Sequence, residues 1–240
     1  MFKNILKLAV VALVLTGCSS ANQYSSEQIR ESLLKSTDNN AELITFYKHK
    51  VEEDDSTINL ENLAEAYLNY GDPESALHTL ENISKDAVTP KSLYLTSKSY
   101  FELENSDQAI IYAEKAYFKS EQNAAISNYL GVVYASEGNF ITAKHYFELS
   151  KRGNGSRVEA QNNLAVLEMI GGDYHKAVDL LSPIYQSEPD AKVKTNLLIA
   201  LSKNGEFEKV KSILSSEYSS SEVKRMYKTM QELEMKFQQG

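Results

Sequence analysis

Small residues return along this chain at an almost constant step. Ala76, Ala109, Ala143, Ala177 and Val210 are separated by 33, 34, 34 and 33 residues. A second series, Ala64, Ser97, Gly131, Ala165 and Leu198, keeps the same step and runs twelve residues ahead of the first. A period this long dictates a stack of like supersecondary units, because one unit of that size cannot bury its apolar face alone. Large apolar residues surround each small pair: Leu63, Tyr67 and Leu80; Leu130, Tyr134 and Phe147; Leu164 and Leu181. Their spacing is helical. Two antiparallel helices per unit, meeting where each carries a small residue, satisfy both series.

The joints support that reading. Gly71, Gly138, Gly172 and Gly205 fall between the two helices of a unit, where a left-handed backbone is needed. Asp72 followed by Pro73 is an N-cap with a first-turn proline, and Asn139 and Asp173 occupy the same place in later units. Two units depart. One has Glu104-Asn105-Ser106 at its turn, with Asn105 expected to take the left-handed position. The last has Leu198 and Val210 at both small positions, which predicts a wider helix separation or a repeat altered to receive a cap.

This pattern resembles the tetratricopeptide repeat (TPR). The resemblance implies an all-α fold: a TPR solenoid of about five to six helix-turn-helix repeats with a C-terminal capping helix. Five units occupy 57–218. Before them, 27–56 reads as a helix pair and a possible degenerate sixth unit, with helices over 26–36 and 40–53. After them, 219–240 reads as the cap. It opens with a Ser219-x-x-Glu222 capping box and carries Val223, Met226, Met230, Leu233 and Phe237 along one stripe. Those methionines are read as packing.

The start of the chain follows other rules. Lys3 and Lys7 precede an unbroken apolar run from Leu8 to Leu15, the layout of a secretory signal and about half the length needed to span a bilayer. Leu15-Thr16-Gly17-Cys18 then resembles the lipobox of bacterial lipoproteins. That implies a signal over 1–17, cleavage before Cys18, acyl chains (palmitate among them) on Cys18, and a membrane attachment through those chains. Ser19 after the cysteine implies sorting to the outer membrane. An ordinary signal with an incidental cysteine is the other reading. Residues 18–26 form a polar tether that reaches at most about 30 Å. Cys18 is the only cysteine, so no internal disulfide is possible.

No chemistry emerges from the motifs. HExxH, GxSxG, a Walker loop and CxxC are all missing, and His49, His78, His145 and His175 never stand at metal-ligand spacing. The sequence therefore predicts no enzyme, no cofactor and no metal. Gly153-Asn154-Gly155-Ser156-Arg157 reads as a connection between units rather than a phosphate loop. Without the signal the chain holds 23 basic against 33 acidic residues, because two of its 25 Lys and Arg lie within the signal. A balance of about ten negative charges disfavours nucleic acid as a partner.

A TPR solenoid offers a concave groove lined by first helices, suited to a segment of another protein. Numbering each unit so that the leading small residue is position 8, the groove-facing candidates are Tyr94, Asn128, Asn162, Asn163, Asn196, Val166 and Ile199. Asn62, Val132, Met169 and Phe101 share that face. An amide carries donors and an acceptor, so a row of asparagines either pairs with a peptide backbone or ties neighbouring helices together. Lys98 alone suits a carboxylate clamp.

The lipobox, the repeats and the endings NNLAVLEMIGGDYHKAVDLL and VKTNLLIALSKNGEFEKVKSIL, with a Ser-rich turn into SEVKRMYKTM, resemble the TadD lipoproteins of tight-adherence (Flp-type) pilus systems. That resemblance implies a pilotin-like scaffold on the periplasmic face of the outer membrane, whose partner is the pilus secretin or another Tad component. An adaptor similar to NlpI, serving periplasmic peptidoglycan hydrolases or proteases, is the alternative.

Overall fold

The computed structural model describes residues 25–153 and 157–233. Among them are thirteen α-helices and a single 3-10 turn, with no strand. The chain divides into two compact units, residues 1–39 and 40–240. In the first, α1 (Ser26–Ser36) opens on a reciprocal capping box between Ser25 and Gln28. The division falls inside the 27–56 stretch, so α2 (Asn40–Glu53) belongs with the repeats, where it packs on α3 (Thr57–Tyr70).

Five antiparallel pairs follow: α3 with α4 (Pro73–Glu81), α5 (Pro90–Glu102) with α6 (Ser106–Lys119), α7 (Ala124–Ser136) with α8 (Phe140–Arg152), α9 (Arg157–Ile170) with α10 (Tyr174–Ser187), and α11 (Ala191–Lys203) with α12 (Phe207–Leu214). The small residues are where the helices meet. Ala64, Ala76, Ala109, Ala143, Ala165 and Ala177 are all 0% exposed. At Ser97 the close approach is used a second way, its hydroxyl donating to the carbonyl of Ala109 at 2.6 Å. At Gly131 nothing larger than hydrogen fits, because a Cβ would stand 2.6 Å from the ring of Phe147.

Gly71, Gly138, Gly172 and Gly205 all have φ between 73° and 87°, which glycine adopts without a side-chain clash. The unit without a glycine solves the turn differently from expectation. Glu104, not Asn105, is left-handed, at φ 58°. Asn105 has φ −96° and caps α6 by accepting from the Gln108 amide at 3.3 Å. An amide side chain satisfies an otherwise free helix N–H, so the strained position moves one residue earlier, at a cost of about 1–2 kcal/mol.

The last pair keeps its larger residues inside, with Leu198 6% and Val210 0% exposed, and α12 is only eight residues long. Beyond it, α13 (Ser220–Glu232) starts at the Ser219 and Glu222 capping box. Val223 enters the terminal core with Leu201 and Leu214, and Met226, Tyr227 and Met230 pack against it. Leu233 is 41% exposed, and Phe237 lies outside the described residues.

Candidate partner-binding groove

The first helices line the inner side of the stack: α3 packs on α5, α7 on α9, and α9 on α11. Among the described residues no second helix packs comparably on another second helix, so the second helices fan outward.

Along that inner side, position 6 of one unit meets position 5 of the unit before it. The Asn163 Nδ2 donates to Asn128 Oδ1 at 3.0 Å, and the Asn196 Nδ2 donates to Asn162 Oδ1 at 2.8 Å. One junction earlier the same two positions hold Tyr94 and Tyr129, packed edge to face with centroids 4.9 Å apart. Asn62 is different, accepting from the Lys91 ammonium at 3.1 Å while Lys91 also pairs with Glu65 at 2.8 Å. The asparagines therefore do tie neighbouring helices. Each tie consumes one N–H of one amide and a lone pair of the other. None of these side-chain atoms is a buried orphan, so the remaining donors and acceptors stay open to the half-buried groove.

Asn128, Asn162 and Asn163 border a cleft of about 790 Å³, with Val158 and Val193 as its apolar part and Arg157, Lys192, Glu159, Glu188 and Asp190 around it. Asn196, Val166 and Ile199 are half-buried and do not line that cleft. Met169 belongs to the core instead, at 1% exposed: its side chain packs with Ala165, Ala177 and Leu181, not along the groove.

The earlier half of the groove is aromatic. Tyr129 touches Tyr94 and Phe101 and shares a hydrogen bond with the Ser97 hydroxyl at 3.1 Å. Burial pushes the Tyr129 phenol above its ordinary range; the Ser97 bond acts the other way, and Tyr94 and Glu102 add to the rise. Tyr94 is also raised, by burial and then by the Glu65 charge. Lys98 lies over the Tyr94 ring at 5.8 Å. These phenols thus stay protonated as donors. Tyr129 was not singled out in the sequence, although its place at position 6, the place of Asn163 and Asn196, was the available signal.

Cys18 and residues 154–156 lie outside the described residues. Among the described ones, no group of three His, Cys, Asp or Glu is arranged to hold a metal, and no helix is long and apolar enough to cross a membrane. His49 on α2 and His175 on α10 sit on the surface, each 3.4 Å from a carboxylate one turn on, Glu53 and Asp179.

Known structures with this arrangement are TPR proteins. The thermophilic TPR protein TTC0263 of Thermus thermophilus is 17% identical with a TM-score of 0.64, over 73% of this chain and 97% of that one. The fold is a TPR solenoid. The hetero-tetramer Cut9–Hcn1 of the APC/C gives a TM-score of 0.66 at 15% identity, over 85% of this chain and 42% of that chain. YrrB, described as a TPR protein with an unusual peptide-binding site, gives 0.51 at 19% identity, over 68% of this chain and 85% of that one. The model of the family "Anaphase-promoting complex, cyclosome, subunit 3" matches residues 37–116 of this chain. No curated protein matches it.

Proposed function

We propose that this chain is a non-catalytic scaffold that holds an extended segment of a partner protein along its first helices. The observation that carries the reading is that three of the tied amides, Asn128, Asn162 and Asn163, border the 790 Å³ cleft and each tie engages only part of their hydrogen-bonding capacity. Such groups recognise a peptide backbone, whatever its side chains. The aromatic stretch at Tyr94 and Tyr129 supplies a place for one side chain of the segment.

The lipobox at Leu15 to Cys18 and the TadD-like ending favour a finer version of the proposal. In it, acyl chains on Cys18 hold the chain on the periplasmic face of the outer membrane, where it serves as a pilotin-like factor and the segment belongs to the secretin of a Tad pilus. Several acyl chains on one residue make attachment effectively permanent. Pull-down of the tagged chain from detergent-solubilised outer membrane tests this directly. Secretin in the eluate is the expected result; peptidoglycan hydrolases or proteases without secretin would replace it with the NlpI-like adaptor reading. A groove variant that still captures the same partner would overturn the amide mechanism in either case.

A further inference from the structure

The first repeat ends early. Its second helix, α4, has nine residues, and a 3-10 turn over Lys85–Ala87 leads to α5. Beside this turn, the outer side of α6 shows Ile111 and Phe118, 41% and 67% exposed. Seven residues apart, they share one stripe of the helix. With Val88 and Leu93 they form a shallow apolar depression, edged by Lys85, Lys115, Lys119 and Glu114. Glu114 is engaged, accepting from the Tyr134 hydroxyl at 2.7 Å. None of the three lysines pairs with a carboxylate among the described residues; Lys115 lies over the Tyr112 ring at 4.6 Å. On a chain with a net charge of −8, this is a local reversal of sign.

The geometry points to an anionic phospholipid surface as the occupant, and we propose that this face of α6 is a second membrane contact. Phe118 and Ile111 would enter the headgroup boundary while the lysines extend to phosphates, each lysine near an anionic leaflet strengthening binding about fivefold. A helix-binding groove recesses its apolar residues, whereas Phe118 projects. The proposal rests on the acylated Cys18 for its proximity. The seven residues between Cys18 and α1 let the chain reach at most about 30 Å, and tethering at that range converts a weak surface into an effective one. Since α6 is a second helix, contact here turns the first-helix groove away from the bilayer.

The chain contains no tryptophan, so Phe118→Trp gives a single reporter. The acylated full chain would be reconstituted in vesicles of phosphatidylethanolamine with phosphatidylglycerol, and flotation would report the anchor separately. The expected result is a blue-shifted emission from the indole at position 118, which brominated lipid quenches and high salt diminishes. Ile141→Trp, replacing a residue 89% exposed on α8, should remain water-like. Adding Lys85→Glu, Lys115→Glu and Lys119→Glu to the Phe118→Trp chain should let it float yet abolish the blue shift. Water-like emission from the Phe118→Trp chain while it floats would overturn the proposal, as would a photo-crosslinker at position 118 that captures protein rather than lipid in cells. If the chain does not float, the anchor fails, and quenching of the same indole by the same vesicles in excess decides the patch alone.

Discussion

At the scale of single residues, this protein is tightest where it is smallest. Gly131 lies against the ring of Phe147, so Gly131→Ala must push a fully packed ring aside. Overpacking of this kind costs about 1–3 kcal/mol, more than the roughly 1 kcal/mol that alanine gains over glycine in a helix. A lower melting temperature is expected, and an unchanged one would mean the ring has room. The amides separate joint from contact. Asn128→Asp and Asn162→Asp keep an acceptor for Asn163 and Asn196 but lose the free N–H groups. Partner affinity, read by titration calorimetry, should fall with stability unchanged. Asn163→Asp and Asn196→Asp instead remove the donor of each tie, so both should fall, stability by about 1 kcal/mol per bond.

Among elements, the terminal cap and the bridges between helices decide how far the stack holds. Val223 is 1% exposed, in a core shared with Leu201 and Leu214. Ending the chain before Ser219 would present that surface to water, and a solenoid without a polar outer cap loses solubility. Light scattering should show association, with hydrogen exchange fastest in α11 and α12. In the fourth repeat, Glu168 of α9 accepts from Lys144 of α8 at 2.7 Å and Lys176 of α10 at 2.8 Å. Burial alone would raise its pKa, but the two lysine hydrogen bonds override it and hold the carboxyl below its ordinary range. A group depressed in the folded state stabilises above its unfolded pKa, and that contribution is lost as pH falls through the folded value. The melting temperature should therefore drop on acidification below the usual carboxylate range, and Glu168→Gln should flatten that dependence.

The period, the glycine turns and the caps were legible in the sequence because each answers a local demand of the backbone. Gly71 and Asp72 solve the same turn whatever surrounds them. Contacts that depend on how one unit rotates on the next were not. The pairing of Asn163 with Asn128 spans 35 residues, and the sequence left its two readings open. Met169 shares helical spacing with the groove residues, yet it lies in the core cluster that α9 forms with α10 and α11. The lysine-edged face of α6 takes Lys85 and Val88 from the connection after α4, which ends at Glu81, a boundary that the repeat pattern alone did not mark.

Taken whole, the molecule is a chain of nearest neighbours, and the attachment proposed at Cys18 would be separable from its fold. Cys18→Ala should leave the repeats folded, with unchanged circular dichroism; under the proposed function it should also move the chain out of the outer-membrane fraction and leave the proposed secretin partner mislocalised. Retention in that fraction would refute acylation at this residue. The seams at Tyr94 and Tyr129, Asn128 and Asn163, and Asn162 and Asn196 lie on the same inner surface that a guest segment would follow. A strand laid there would bridge one seam after another and act as a splint. Occupancy would thus be felt as stiffness along the tied repeats, so that a load taken up by the guest spreads over several of them.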